Sequence, residues 1–263
     1  MLSFLTYTTI LLYILSTLLW MVFLATLKKP MARIAKGVLL VAVVVHLAAI
    51  GWHHYNGLPP PILHPYSLLN LAAFILGLAF LIASAFTDID IIGAFLVPVL
   101  TVVLLATISE QVTPGIKPVH LRFITPVHIA CSALSFIGFS VAFVAGLMYV
   151  FQDFSIKIRR KPTGLPALHS LENLAFKSVI ISFPFYTLGV ILGTIWAISI
   201  PGSHPDSPQY LAGVISWWIY AVAIYGYISF GWRGRKAIAM LIAAYAGIAT
   251  LVIFYVLRAW RQM

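Results

Sequence analysis

The stretch Gly37-Val-Leu-Leu-Val-Ala-Val-Val-Val-His46-Leu-Ala-Ala-Ile-Gly-Trp-His-His-Tyr55 contains no acid, lysine or arginine. A helix rises about 1.5 Å per residue, so a run of about 20 apolar residues crosses the hydrocarbon core of a bilayer. This run has that length, and its one polar interruption near the middle is His46. Seven more stretches have the same character: residues 4–27, 65–86, 91–108, 126–151, 177–198, 211–230 and 237–257. Turn formers break the connections between them, notably Pro59, Pro60 and Pro61, then Pro114, Gly115 and Pro118, then Pro201, Gly202, Pro205 and Pro208. The expected fold is all-α, a polytopic membrane helix bundle of about eight transmembrane helices.

Composition agrees with the pattern. The 263 residues are 62% hydrophobic and 8% charged, and the mean hydropathy is +1.04. A soluble core needs far less apolar surface, so lipid must be part of the solvent. Spans and short loops use nearly the whole chain, which reads as one integral membrane domain over residues 1–263. Pro98 and Pro184 fall inside spans and are expected to kink them. Gly189-x-x-x-Gly193 permits close helix approach. No internal repeat of the kind that builds inverted-repeat transporters is visible.

The net charge of +10 is not a nucleic-acid signature, because the cations cluster beside apolar spans. Connections one, three, five and seven hold Lys28, Lys29, Arg33, Lys36, Lys157, Arg159, Arg160, Lys161, Lys177, Arg233, Arg235 and Lys236. The opposite side holds Lys117, Arg122, Arg258 and Arg261. Twelve against four places both termini outside by the positive-inside rule. The expected location is a bacterial cytoplasmic (inner) membrane, multi-pass. No basic segment precedes the first apolar run, so no cleavable signal peptide is expected. The single cysteine, Cys131, excludes an internal disulfide or a C-x-x-C redox pair.

Seven of the eight histidines fall on the outer side or within the spans leading to it; His169, in the fifth connection, is the exception. His53, His54, His64, His120 and His204 read as interfacial loop residues. His46 and His128 lie inside apolar stretches, where an ionisable group is costly and usually functional. Neutral imidazole is a common ligand for transition metals and haem iron. His128 is followed at i+4 and i+7 by Ser132 and Ser135, a small polar stripe against which a flat cofactor could pack. Arg122 precedes His128 by six residues and suits a haem propionate. The seven tryptophans lie at or near expected helix ends, as an interfacial aromatic belt would have them. The six acids, Asp88, Asp90, Glu110, Asp153, Glu172 and Asp206, are in loops or at span ends, so no mid-span proton relay is present. No H-E-x-x-H, phosphate-cradling glycine loop or G-x-S-x-G occurs. No enzymatic activity is expected.

Several motifs, in this order, resemble the CcsA/ResC/CcmC cytochrome c assembly superfamily. Thr125-Pro-Val-His128-Ile-Ala-Cys-Ser-Ala-Leu-Ser135-Phe is similar to its histidine-bearing helix. Leu171-Glu172-Asn173-Leu174, leading to Gly189-Val-Ile-Leu-Gly193-Thr-Ile-Trp196-Ala, looks like the helix that follows. Gly231-Trp232-Arg233-Gly234-Arg235-Lys236 matches the inner turn before the last span. Val-Val-Val-His46-Leu-Ala and Ser67-Leu-Leu-Asn70 look closest to the eight-span HemX/YpjD branch. Members that deliver haem to apocytochromes carry a loop W-G-x-x-W-x-W-D before the seventh span. Here that loop is Ser199-Ile-Pro-Gly-Ser-His204-Pro-Asp-Ser-Pro-Gln-Tyr210, without tryptophan. A second outer histidine after the last span is also absent.

The resemblance implies a protein that holds or relays non-covalent, b-type haem through His46 and His128 as iron ligands, with Arg122 as propionate partner. The implied partners are haem, the lipid bilayer, and a cytochrome c assembly protein or a haem-biosynthesis enzyme. The alternative is a HemX-like membrane regulator that docks a tetrapyrrole-synthesis enzyme through residues 157–161. A metal-ion permease is a weaker third reading.

Overall fold

The computed structural model describes residues 2–55, 65–107, 124–158, 165–199 and 208–260, and every regular element among them is helical. The helices are α1 (Leu2–Thr26), α2 (Lys29–Tyr55), α3 (Pro65–Phe86), α4 (Asp90–Ala106), α5 (Ile124–Lys157), α6 (Leu168–Ser199), α7 (Pro208–Ser229) and α8 (Arg235–Trp260). Each expected span has become one helix, and the chain is a polytopic helical bundle. Among the described residues, α1, α2, α3, α5, α6 and α7 are long and apolar enough to cross a membrane. Helix α4 has 17 residues and α8 has 26. Pro98 and Pro184 lie inside the continuous helices α4 and α6.

Several helices outrun their apolar stretches. Helix α2 starts at Lys29 rather than residue 37, α6 at Leu168 rather than 177, and α5 continues to Lys157. Hydropathy marks the immersed part of a helix. The backbone ladder propagates further, through Lys, Arg, Ala and Glu residues that favour helix as well. His169, expected in a connection, therefore stands in the first turn of α6.

The chain groups into two compact units, Met1–Thr113 and Pro114–Met263. In the first, α1 and α3 each pack against both α2 and α4; in the second, α5 and α7 each pack against both α6 and α8. Each unit is a ring of four helices in which chain neighbours are spatial neighbours, as short connections favour. The α1–α2 link turns at Leu27, which takes φ 53, and the α7–α8 link turns at Gly231 and Gly234, with φ 64 and 75. Glycine adopts that region without a Cβ penalty; leucine does not.

The first unit is built around Trp20, which is completely buried. Its ring meets Phe23 and Phe80 edge-on, with centroids 5.6 and 5.7 Å away. Gly93 of α4 makes the room: a Cβ there would stand 2.6 Å from Trp20 Cζ2. Trp20 is thus a core residue and not part of an interfacial belt. A belt reading judges a tryptophan by its distance from a helix end, which does not reveal the face it occupies. In the second unit Phe139 stacks on Tyr220 at 4.1 Å and Phe143 on Tyr245 at 4.4 Å. The Tyr245 hydroxyl meets Ser140 Oγ at 2.9 Å. Buried hydroxyls elsewhere return to the preceding turn, as Thr9 does to Leu5 O and Ser140 to Phe136 O.

Acid–base pairs gather the basic connections of each unit. Lys29 Nζ donates to Asp88 at 2.8 Å and Lys36 Nζ to Asp90 at 2.7 Å. Asp153 accepts from Arg235 at 2.8 Å and from Lys157 at 3.1 Å. Arg233 lies 3.9 Å from the buried Glu172, and its guanidinium covers the Tyr227 ring at 3.6 Å. Connections one and three thus share one end of the first unit. The end of α5, the start of α6 and connection seven share one end of the second.

Candidate functional site

His46 is 1% exposed, on the face of α2 turned into the first unit. Its Nε2 lies 2.6 Å from Asn70 Oδ1, and Asn70 Nδ2 donates to Thr107 Oγ1 at 3.3 Å. The Thr107 hydroxyl donates to Leu104 O at 2.8 Å. Because the amide oxygen can only accept, the proton on the imidazole is at Nε2. Nδ1 then holds the lone pair and faces the Tyr13 hydroxyl at 3.4 Å. The chain Tyr13–His46–Asn70–Thr107 joins α1, α2 and α3 to the end of α4. Phe74 and Tyr13 also set ring edges against the imidazole, 5.6 and 5.8 Å between centroids. Tyr13 reaches this position past Gly77, where a Cβ would be 3.0 Å from its oxygen. The void beside His46 is about 10 Å³, lined by polar groups of Thr6, Thr9, Asn70 and Thr107. That suits one water molecule.

His128, in the second unit, is arranged differently. It stands in the second turn of α5 and is partly exposed. Nδ1 is 2.8 Å from the Gly189 carbonyl oxygen of α6. A carbonyl can only accept, so Nδ1 carries the proton and Nε2 holds the lone pair. Among the described residues nothing bonds to Nε2. Ser132, one turn on, sits against Gly189, and Ser135 Oγ donates to Ser132 O at 2.9 Å. The serine stripe is therefore covered at Ser132 by α6, where a flat cofactor had been expected.

Arg122, His64, His120 and His204 lie outside the described residues, as do the side chains of His54 and Trp196. His53 stands near the end of α2, half-buried. Cys131 is a buried free thiol. Among the described residues no three His, Cys, Asp or Glu side chains converge on a point.

A family model, described as cytochrome C assembly protein, matches residues 3–263. The chain belongs to the cytochrome c assembly protein family. Among curated relatives, the cytochrome c biogenesis protein CcsA of Welwitschia mirabilis is 31% identical over 107 residues, 40% of this chain and 32% of its own. CcsA of Prochlorococcus marinus is 30% identical over 105 residues, again 40% and 32%. CcsA of Heterosigma akashiwo is 36% identical over 69 residues, 26% and 21%. The aligned stretches thus span a third or less of those relatives' length. No solved structure matches the chain.

Within this family member, the two intramembrane histidines fit a haem iron unequally. An imidazole that is to hold iron must present an unprotonated nitrogen, and metal-bound histidines usually give their other N–H to a carbonyl or carboxylate. His128 meets both conditions. His46 as placed has both nitrogens engaged, beside a void far below the roughly 300 Å³ that encloses even a small organic ligand. Sequence reasoning singled out both histidines and missed what separates them. Asn70 was readable as a lone amide in an apolar span, which needs a partner. Tyr13 was not, since a tyrosine in a membrane helix is ordinary.

Proposed function

We propose that this multi-pass membrane protein binds haem at His128 and holds or relays it within the cytochrome c assembly process of a bacterial cytoplasmic membrane. The observation that carries this reading is the orientation of the His128 ring. Nδ1–H is spent on Gly189 O, and Nε2 is left with a lone pair. His128 would hold the haem through its neutral imidazole, and the bound haem would supply an iron able to take that nitrogen as ligand. The chain's own contribution is to fix the tautomer, hold the ring and keep it partly open. Arg122 remains the proposed propionate partner. His46 joins as a second ligand only if Tyr13 swings away from Nδ1. Until then it is a structural link among four helices. No chemical step is required of the protein, and a CcsA-like transfer to an apocytochrome is not proposed for a chain without the tryptophan-rich loop.

The test is a pyridine-haem assay on protein purified from haem-replete cells. The wild type should carry haem, His128→Ala should lose most of it, and His46→Ala should retain it unless the histidine becomes a ligand. Wild-type protein that stays colourless after haem addition would sink the proposal. The regulatory alternative has residues 157–161 and the Pro/Gly stretch after them as its docking segment. Lys157, Arg233 and Arg235 are already engaged by Asp153, Glu172 and Tyr227.

A further inference from the structure

His128 and Ser132 are one turn apart on α5, and Gly189 and Gly193 are one turn apart on α6. The two pairs face each other. A Cβ at Gly189 would be 3.2 Å from Ser132 Oγ, a contact that a small rotation of the hydroxyl relieves. At Gly193 a Cβ would stand 2.9 Å from His128 Cε1, 3.3 Å from Nδ1 and 3.7 Å from Nε2. It would abut the imidazole itself, along the edge that carries both nitrogens. The Gly189 carbonyl takes the ring proton at 2.8 Å from that same side. An imidazole pushed off Gly193 has to tilt away from this carbonyl, or α6 has to move.

We propose that Gly193 is a positioning residue for His128. Its missing side chain is the seat that lets the nitrogen-bearing edge of the ring lie close against α6, within reach of Gly189 O and with nothing among the described residues bonded to Nε2. The proposal rests on the haem reading for its functional consequence, but not for its geometry. Free neutral histidine prefers the proton on Nε2. The seat enforces the opposite tautomer, which leaves Nε2 as the nitrogen able to bind iron. The G-x-x-x-G pair of α6 therefore sets ligand chemistry as well as helix spacing.

Four proteins decide it: wild type, His128→Ala, Gly193→Ala and Ser132→Thr. Haem retention and midpoint potential are measured on each, and the His128 tautomer is read from nitrogen chemical shifts of apo-protein labelled with ¹⁵N-histidine. Gly193→Ala should weaken haem retention by about 10- to 100-fold, the range seen when a ligand's hydrogen-bond partner is lost. It should also shift the potential and move the proton toward Nε2 in the apo-protein. Helical content should not fall, since alanine favours helix over glycine. Ser132→Thr adds a methyl between α5 and α6 beside Gly189, one turn from the ring, and should retain haem and tautomer. If Gly193→Ala matches wild type in tautomer and retention, the positioning role is overturned while the haem reading stands. If Ser132→Thr is as damaging as Gly193→Ala, helix spacing is the cause and the proposal is again overturned. If no protein takes up haem but Gly193→Ala still releases the tautomer, the haem reading fails and the seat survives.

Discussion

The His46 ring is held by two hydrogen bonds of very different quality. The 2.6 Å contact with Asn70 is short, and the 3.4 Å contact with Tyr13 is long. Removing one partner of a buried polar pair strands the other at a cost of about 1–3 kcal/mol. Asn70→Leu strands His46 Nε2–H and should destabilise the protein by that amount in chemical denaturation. Tyr13→Phe removes only the weak contact and should cost less than about 1 kcal/mol. The reverse order would mean that the tautomer is inverted. The same residues mark a limit of sequence reading. That His46 needed a partner followed from its place in an apolar span, but any of the seven other expected spans could have supplied it.

An exposed pair at the basic end offers a pH test. The hydrogen bond from Lys29, and the ammonium charge behind it, hold the Asp88 carboxyl below the usual carboxylate range. A carboxyl depressed by folding stabilises above its unfolded pKa of about 3.9, and that contribution is lost as pH falls through the lower folded value. Asp88→Asn should therefore leave stability unchanged once pH is below the lowered folded pKa and lower it slightly at neutral pH, less so in high salt. A pH series of melting temperatures, wild type against variant at two ionic strengths, checks it.

At the scale of the helices, glycine positions separate close contact from open space. Gly93 of α4 lies under Trp20 and Phe80, with its Cβ position 2.6 and 2.7 Å from those rings. Gly37 of α2 has no such neighbour. Overpacking costs about 1–3 kcal/mol, whereas relieving glycine's backbone entropy in a helix gains about 1 kcal/mol. Gly93→Ala should lower thermal stability and Gly37→Ala should leave it unchanged or raise it, a contrast that circular-dichroism melts in detergent resolve. Neither outcome was legible in the chain, where both are glycines of apolar helices. The element boundaries tell the same story. Existence and order of the helices followed from hydropathy, but α2, α5 and α6 extend past their apolar stretches because the helical ladder does not end where lipid does. His169 and Glu172 are on α6 for that reason.

For the molecule as a whole, charge asymmetry and ion pairing point the same way. The acids Asp88, Asp90, Asp153 and Glu172 each meet a cation from connections one, five or seven, or from the first turns of α2. Within each unit those pairs lie at the basic end, which the positive-inside rule predicts to face the cytoplasm. In a Cys131→Ala chain, Lys117→Cys should react with a membrane-impermeant thiol reagent supplied outside intact cells, and Lys161→Cys should not. Labelling of both, or of Lys161→Cys alone, would reverse the orientation.

The chain alone determined that the protein is a multi-span helical membrane protein and that His46 and His128 needed explaining. Hydrophobic run length is a local property, and an imidazole in lipid is conspicuous whatever surrounds it. Only tertiary structure decided which histidine keeps a ring nitrogen unengaged among the described residues. The choice turns on the acceptors that reach each ring, Asn70 for His46 and the Gly189 carbonyl for His128, and on a missing Cβ at Gly193. Those partners are distant in sequence and become neighbours only when the helices pack.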